Sequence, residues 1–393
     1  MQRDLTLSDS HLKEMKQRLC SIFHESCNKM ANIVQNRKLI LHFDVNKTIV
    51  PVDSATGETV EAALNVYLSG LAQGKDREGE WHSKHVLAVA PDEQDDVSFY
   101  KFQEKRLLPH INRDRKTFRY NLMSFTDKPQ GSRYKPHLKE LLNVLKWDFP
   151  YEETVHKDLT VPGNEAWRFH FILPAFYKLL RYLVDQHKDF TVIFRTYGSD
   201  ANSVLKSLRH AISNKLPFCH NLEEMSEDIS DTVYVLRRSN FEPSVFSVHT
   251  CAGDSESERV RVKTDEEMYM WMSNMNGINA IRDNVQDWLD HSFDSRFGKP
   301  LWVDSSDERN HHVFFDDNIR PGNLDSIANI RLRHSAGEDF QTVDRTEEHK
   351  LVNANIVPVT FTEAILDEDY FVKKLRLCEE NYAKQLYGHK LTN

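Results

Sequence analysis

A few short apolar runs, each ending in a polar residue, constrain this chain more than anything else in it. Leu39-Ile40-Leu41-His42-Phe43 is too brief for a helix and stops at Asp44. Phe190-Thr191-Val192-Ile193-Phe194 stops near Thr196, Val313-Phe314-Phe315 stops at Asp316-Asp317, and a fourth run, Ile356 to Phe361, precedes a C-terminal helical pattern. Continuously apolar runs suit strands buried on both faces, the habit of parallel sheets. Helical spacing flanks the second run: Phe176, Tyr177, Leu179, Leu180 and Leu183 after Pro174, then Val204, Leu205, Leu208 and Ile212. Alternation of strands with helices predicts an α/β fold around a parallel sheet. Ligands of such sheets bind beyond the carboxyl ends of the strands, where Asp44, Thr196 and Asp316-Asp317 would converge.

The intervals between these runs exceed what a crossover needs, so the chain is expected to carry insertions. Residues 1–36 hold an amphipathic helical pattern (Leu12, Met15, Leu19, Ile22, Phe23, Met30, Ile33, Val34). The core is expected in 37–54, 166–214 and 296–393, a mostly helical cap insertion in 55–165, and a second insertion in 215–295 that ends in a helix from Gly277 to His291. There is no internal repeat.

Composition narrows the function classes. The 393 residues carry a net charge of -9, which argues against a nucleic acid polymer as partner. Five scattered cysteines without a CxxC pair argue against a disulfide framework or a cysteine zinc site and suit a reducing compartment. No apolar run nears the roughly 20 residues of a membrane span, and the first residues are too charged for a secretory segment. A soluble, cytoplasmic protein is expected. One stretch reverses the charge: residues 101–139 hold eleven Lys or Arg against three Asp or Glu, interleaved with Phe102, Phe118, Tyr120, Phe125 and Tyr134. On a cap, such a face would steer an anionic substrate and its aromatics would stack on a base or sugar; on an ordinary surface it is merely solvated.

The strand ends resemble the motifs of the haloacid dehalogenase (HAD)-like superfamily. Phe43-Asp44-Val45-Asn46-Lys47-Thr48 is similar to its first motif, Phe194-Arg195-Thr196-Tyr197-Gly198-Ser199 to its second, Lys299-Pro300 to its third, and Phe314-Phe315-Asp316-Asp317-Asn318 to its acidic fourth. The order matches along most of the chain. The resemblance implies a Rossmannoid parallel sheet with helices on both faces, and Mg2+-dependent hydrolysis of a small phosphorylated metabolite through an aspartyl-phosphate on Asp44. It implies Mg2+ ligation by Asp44, the Asn46 carbonyl, Asp316 and Asp317, a hydrogen bond from Thr196 to the phosphoryl group, and charge compensation by Lys299. Arg282 is an alternative source of that positive charge.

Asn46 departs from the motif, which in the phosphatases has an acid/base Asp there. An amide cannot exchange a proton with the leaving group or the attacking water, and losing such a group slows turnover about 10² to 10⁴-fold. The alternative function is therefore a catalytically weak relative that binds phosphate ligands or a protein partner. His42 and Arg195, the His311-His312 pair and the Met268–Met272 cluster read as structural. Substrate identity, the insertion that covers the site and the oligomeric state are not legible.

Overall fold

The computed structural model describes residues 37–53, 57–89, 92–107, 115–163, 167–239, 245–252, 255–256 and 261–392. The helix expected in residues 9–35 lies outside them. The strands that organise the molecule are β1 (Lys38–Asp44), β2 (Phe190–Thr196), β3 (Ile229–Arg238), β4 (Val245–Ala252), β5 (Gly277–Asp283), β6 (Lys299–Asp304), β7 (Asn310–Asp316), β8 (Ala328–Arg333) and β9 (Ile356–Pro358). Among the described residues the principal sheet has nine strands, in which β4, β3, β5, β2, β1, β7 and β9 lie side by side in that order. From β3 through β9 every neighbouring pair is parallel; β4 joins antiparallel and makes the sheet mixed.

The chain enters at β1, moves outward on one side through β2, and later crosses to β7 on the other side. β1 is thus the point where the strand order reverses, and a crevice opens there beyond the carboxyl ends. Register fixes which residues line it: Phe43 lies opposite both Phe194 and Phe315, so Asp44, Thr196 and Asp316 end three adjacent strands at nearly the same height.

One face of the sheet is covered by helices Pro174–Asp185, Asp200–Ser213 and Tyr370–Thr392. Leu39, Leu41 and Phe43 point to that side and share one apolar cluster with Phe176, Leu205 and Phe371. Ile40, on the other side, packs with Ile193, Ile281, Trp302 and the Met268, Tyr269 and Met272 face of helix Asp265–Ser273. That second face differs from the expectation of helices on both sides. Much of its cover is a small sheet of β6, β8 and the short strand Gln341–Thr342. The alternation Ile330-Arg331-Leu332-Arg333 hides this strand in the sequence, because both arginines are buried by partners far along the chain. Arg331 pairs with Asp265, and Arg333 with Asp304 and Glu266.

Residues 215–295 are not a separate insertion, since β3 and β5 are members of the principal sheet. The expected Gly277–His291 helix is β5 followed by a short helix, Val285–Asp290. Short apolar segments do not distinguish a buried strand from a buried helix by periodicity. Gly277 opens the strand at φ +66, where a Cβ would meet the Asp228 carbonyl oxygen at 2.2 Å. The 55–165 region also departs from the mostly helical expectation. Between helices Val60–Leu71 and Phe99–Leu107 it carries a three-stranded sheet (Ala72–Arg77, Glu80–Leu87, Asp96–Ser98). Nor does it have a core of its own: Leu64, Phe102, Phe125 and Leu141 belong to the apolar cluster of the main helix layer.

The sheet also buries charge. Arg195 is fully buried and grips Asp283 on the neighbouring strand at 2.9 and 2.5 Å, while its remaining nitrogen donates to the Pro300 carbonyl at 3.1 Å. Removing one partner of such a pair strands the other charge out of water. Asp283→Ala is expected to lower the unfolding free energy by about 3–5 kcal/mol in urea titrations, whereas Lys373→Ala, at an exposed pair, should leave the midpoint nearly unchanged.

Candidate active site

The residue after β1 turns at once. Val50 and Ile49 donate backbone hydrogen bonds to the Val45 carbonyl at 2.9 and 3.0 Å, and Lys47 donates to Val50 at 2.7 Å. This tight turn folds Thr48 back over the strand end, so its hydroxyl donates to Asp44 Oδ2 at 3.1 Å and accepts from the Asp317 N–H at 3.3 Å. Thr48 therefore links two strand ends. It lies within the first motif but was not expected as a site residue; a hydroxyl four positions after a strand-ending Asp is the signal that could have found it.

Lys299 comes from the small sheet, at the start of β6, where the strand is buried along its whole length. Its ammonium lies 2.5 Å from Asp44 Oδ1 and 2.9 Å from Asp316 Oδ2, with the Arg195 carbonyl at 3.3 Å. Tyr197 packs below it, ring centroid 5.0 Å away. Of the two cations considered from sequence, Lys299 contacts the acidic groups directly.

Carboxylate oxygens of Asp44, Asp316 and Asp317 all lie within 4.8 Å of one another. Lys299 contacts Asp44 and Asp316, and Lys47 lies near Asp317, so three carboxyl groups outnumber two cations and leave an excess of buried negative charge. Burial pushes the Asp44 carboxyl up, Asp316 pushes it further, and Lys299 and Thr48 pull it down, leaving it at about 7. Asp317 is raised well above the carboxylate range by burial and then by Asp316 and Asp44. Burial would discharge Lys299, but Asp316 and Asp44 overcome it and hold the ammonium more firmly protonated than usual. Hard oxygen donors in this number and at this spacing fit a divalent cation such as Mg2+ or Ca2+, which would neutralise the excess.

Thr196 is buried at the end of β2, and its Oγ1 accepts the Gly198 N–H at 3.0 Å. That bond uses a lone pair and leaves the hydroxyl proton free to be donated. Asn46 is fully committed: its amide nitrogen donates to the Val52 carbonyl and to Asp200 Oδ2, both at 2.9 Å. Asp200, buried in the first turn of its helix, had no sequence signal because it meets Asn46 only across 154 positions.

Next to this cluster lies a cleft of about 650 Å3. Lys47, Asp317 and Asn318 line it next to the cluster; the 57–163 region contributes Tyr67, Tyr100 and Arg119, and the segment after β5 contributes Trp288 and Phe293. Both regions expected as insertions therefore reach it. Of the five aromatics of the basic stretch, Phe102, Phe118, Phe125 and Tyr134 are buried in the core and only Tyr120 is exposed. His42 and His312 share a 3.1 Å hydrogen bond in the sheet interior, His312 meets Ser273, and His311 bonds the Ala354 carbonyl. None of these rings meets the acidic cluster.

No helix among the described residues is long and apolar enough to cross a membrane. No family model, curated protein or solved structure matches the chain.

The raised Asp44 pKa has a definite sign. Between about pH 4 and 7 the unfolded chain has released this proton and the folded protein still holds it, so stability falls as pH rises through that window and levels off above it. Asp44→Asn removes the ionisation. In urea titrations it is expected to be more stable than the wild type at pH 8, with the difference shrinking toward pH 4. A divalent cation competes with the same protons, so its affinity, read by calorimetry, is expected to rise with pH up to about 7.

Proposed function

We propose that this protein is a HAD-like, Mg2+-dependent phosphohydrolase that acts on a small phosphorylated metabolite through an aspartyl-phosphate on Asp44. The observation that carries the proposal is the convergence of Asp44, Asp316 and Asp317 at the ends of two adjacent parallel strands, with the Lys299 ammonium between Asp44 and Asp316. Supporting it are the strand order, with β1 central and its neighbours reached in opposite directions, and the cleft that opens beside the cluster.

Each residue has a task that its surroundings suit. Asp44 attacks phosphorus as the bond to the leaving oxygen breaks; water then attacks the phosphorus of the acyl phosphate and restores the carboxylate. Thr48 and Lys299 each hold one oxygen of Asp44, which limits its rotation before attack. Lys299 also offsets charge on the phosphoryl group, in a site where water does not weaken it. Thr196 has its hydroxyl proton available for a phosphoryl oxygen. Mg2+, held by Asp44, Asp316, Asp317 and the Asn46 carbonyl, would neutralise the repulsion between carboxylate and phosphate and keep Asp44 ionised.

Asn46 favours a second reading, a protein that binds phosphate and turns it over poorly. With both amide protons engaged by Val52 and Asp200, the side chain has no proton to give the leaving oxygen. One experiment separates the two. On brief incubation with acetyl phosphate and Mg2+, the wild type is expected to gain the mass of one phosphoryl group, and Asp44→Asn to gain none, by intact-protein mass spectrometry. Asn46→Asp puts a carboxyl against Asp200, where the pair would share a proton, and is expected to shorten the adduct's lifetime. A wild type that binds Mg2+ but never acquires the adduct supports the binding reading.

A further inference from the structure

Two of the cations that line the cleft, Lys47 and Arg119, are distinct from the lysine that holds Asp44 and Asp316. Lys47 sits in the turn between Asn46 and Thr48 at φ +60, a left-handed conformation disfavoured for any residue with a Cβ. This geometry sends its side chain into the cleft wall. Among the described residues its ammonium makes no hydrogen bond and no ion pair. The other lining cations differ: Lys101 pairs with Glu104 and Asp325, and Arg320 with Asp325. Arg119 reaches the same wall from helix Arg115–Leu122 and feels Lys47 as a like charge. Glu58 holds only one of its terminal nitrogens, at 3.1 Å, and the buried Nε–H has no partner. A guanidinium has five donors, so most of this one is uncommitted. Asp317 first, then Glu58 and Asp53, lie near enough to moderate the repulsion.

Two cations from different parts of the chain, one strained into position and both with unused donors, converge on the cavity next to the acidic cluster. An anion between them relieves their repulsion and satisfies those donors. Tyr67, Tyr100, Trp288 and Phe293 supply apolar wall beside them, and the volume lies in the range of small-ligand sites. We infer that Lys47 and Arg119 form a second anion subsite, and that the protein selects organic phosphates whose leaving group carries a further negative charge. The inference rests on the phosphohydrolase reading for the location of the first phosphate, and it concerns binding rather than turnover.

The test uses two aryl phosphates of equal size, 4-carboxyphenyl phosphate and 4-carbamoylphenyl phosphate, titrated calorimetrically into the full chain with Mg2+ present. The wild type is expected to bind the carboxylate about tenfold more tightly than the amide. That ratio should fall to within about twofold in Lys47→Met and in Arg119→Gln, and persist in Lys47→Arg. Thermal melts establish that each variant is folded, and if one is not, the other variant and the wild-type ratio still decide. Equal affinities in the wild type, no binding of either compound, or a ratio that survives both substitutions overturns the subsite. Failure of the phosphohydrolase reading looks different: no cleavage and no adduct on Asp44, with the charge preference intact.

Discussion

Almost everything about this site follows from one buried ammonium. Lys299 lies between Asp44 and Asp316, contacts both, and is closed off from solvent. Without it, two carboxylates at adjacent strand ends and a third within 4.8 Å would repel at short range in a medium that screens poorly. With it, and with Lys47 near Asp317, two positive charges face three carboxyl groups. The cluster is therefore stable enough to fold and still electrostatically incomplete. That residual imbalance raises Asp44 and Asp317 and leaves a natural seat for a divalent cation.

The architecture explains how the lysine gets there. Lys299 belongs to the small sheet stacked on the principal one. Its strand is held by a set of buried polar contacts: Trp302 donates to Asp265 at 2.7 Å, Asp265 also receives Arg331, and Asp304 receives Arg333 at 2.8 Å. These contacts tie helix Asp265–Ser273 to β6 and β8 and set the height of β6 against β1 and β7. On the same face, Arg195 joins β2 to β5 through Asp283 and to β6 through the Pro300 carbonyl. Buried ion pairs are weak evidence for stability because desolvation opposes them. Here they fix which strand ends face each other, and the spacing of the acidic cluster depends on that register.

The site also shows how one substitution in a motif is accommodated locally. An acid/base Asp at position 46 would meet Asp200 and the Val52 carbonyl, two acceptors, and would have to keep its proton. Asn46 donates to both and leaves no buried conflict. The same turn forces Lys47 into the left-handed region and swings Thr48 back to Asp44. Three consecutive residues thus serve three different surroundings: the base of the site, the cleft wall and the nucleophile.

What the sequence determined by itself was local. The runs ending in Asp44, Thr196 and Asp316 are brief, continuously apolar and flanked by helical spacing, and they are strands; the apolar spacing after Pro174 is the helix Pro174–Asp185. Their alternation implied a parallel sheet, and a parallel sheet brings its carboxyl ends together. What only the tertiary structure decided depends on partners distant in the chain. β5 reads as the start of a helix, and is a strand packed so that Gly277 meets Asp228; β8 alternates arginines with apolar residues, and Asp265, Asp304 and Glu266 from elsewhere in the chain bury them. The joint use of the cleft by Lys47 and Arg119, and the contact of Asn46 with Asp200, follow from packing over tens to hundreds of positions. A carboxylate or a cation carries no mark in the sequence of the charge it will face, because that charge is chosen by the fold.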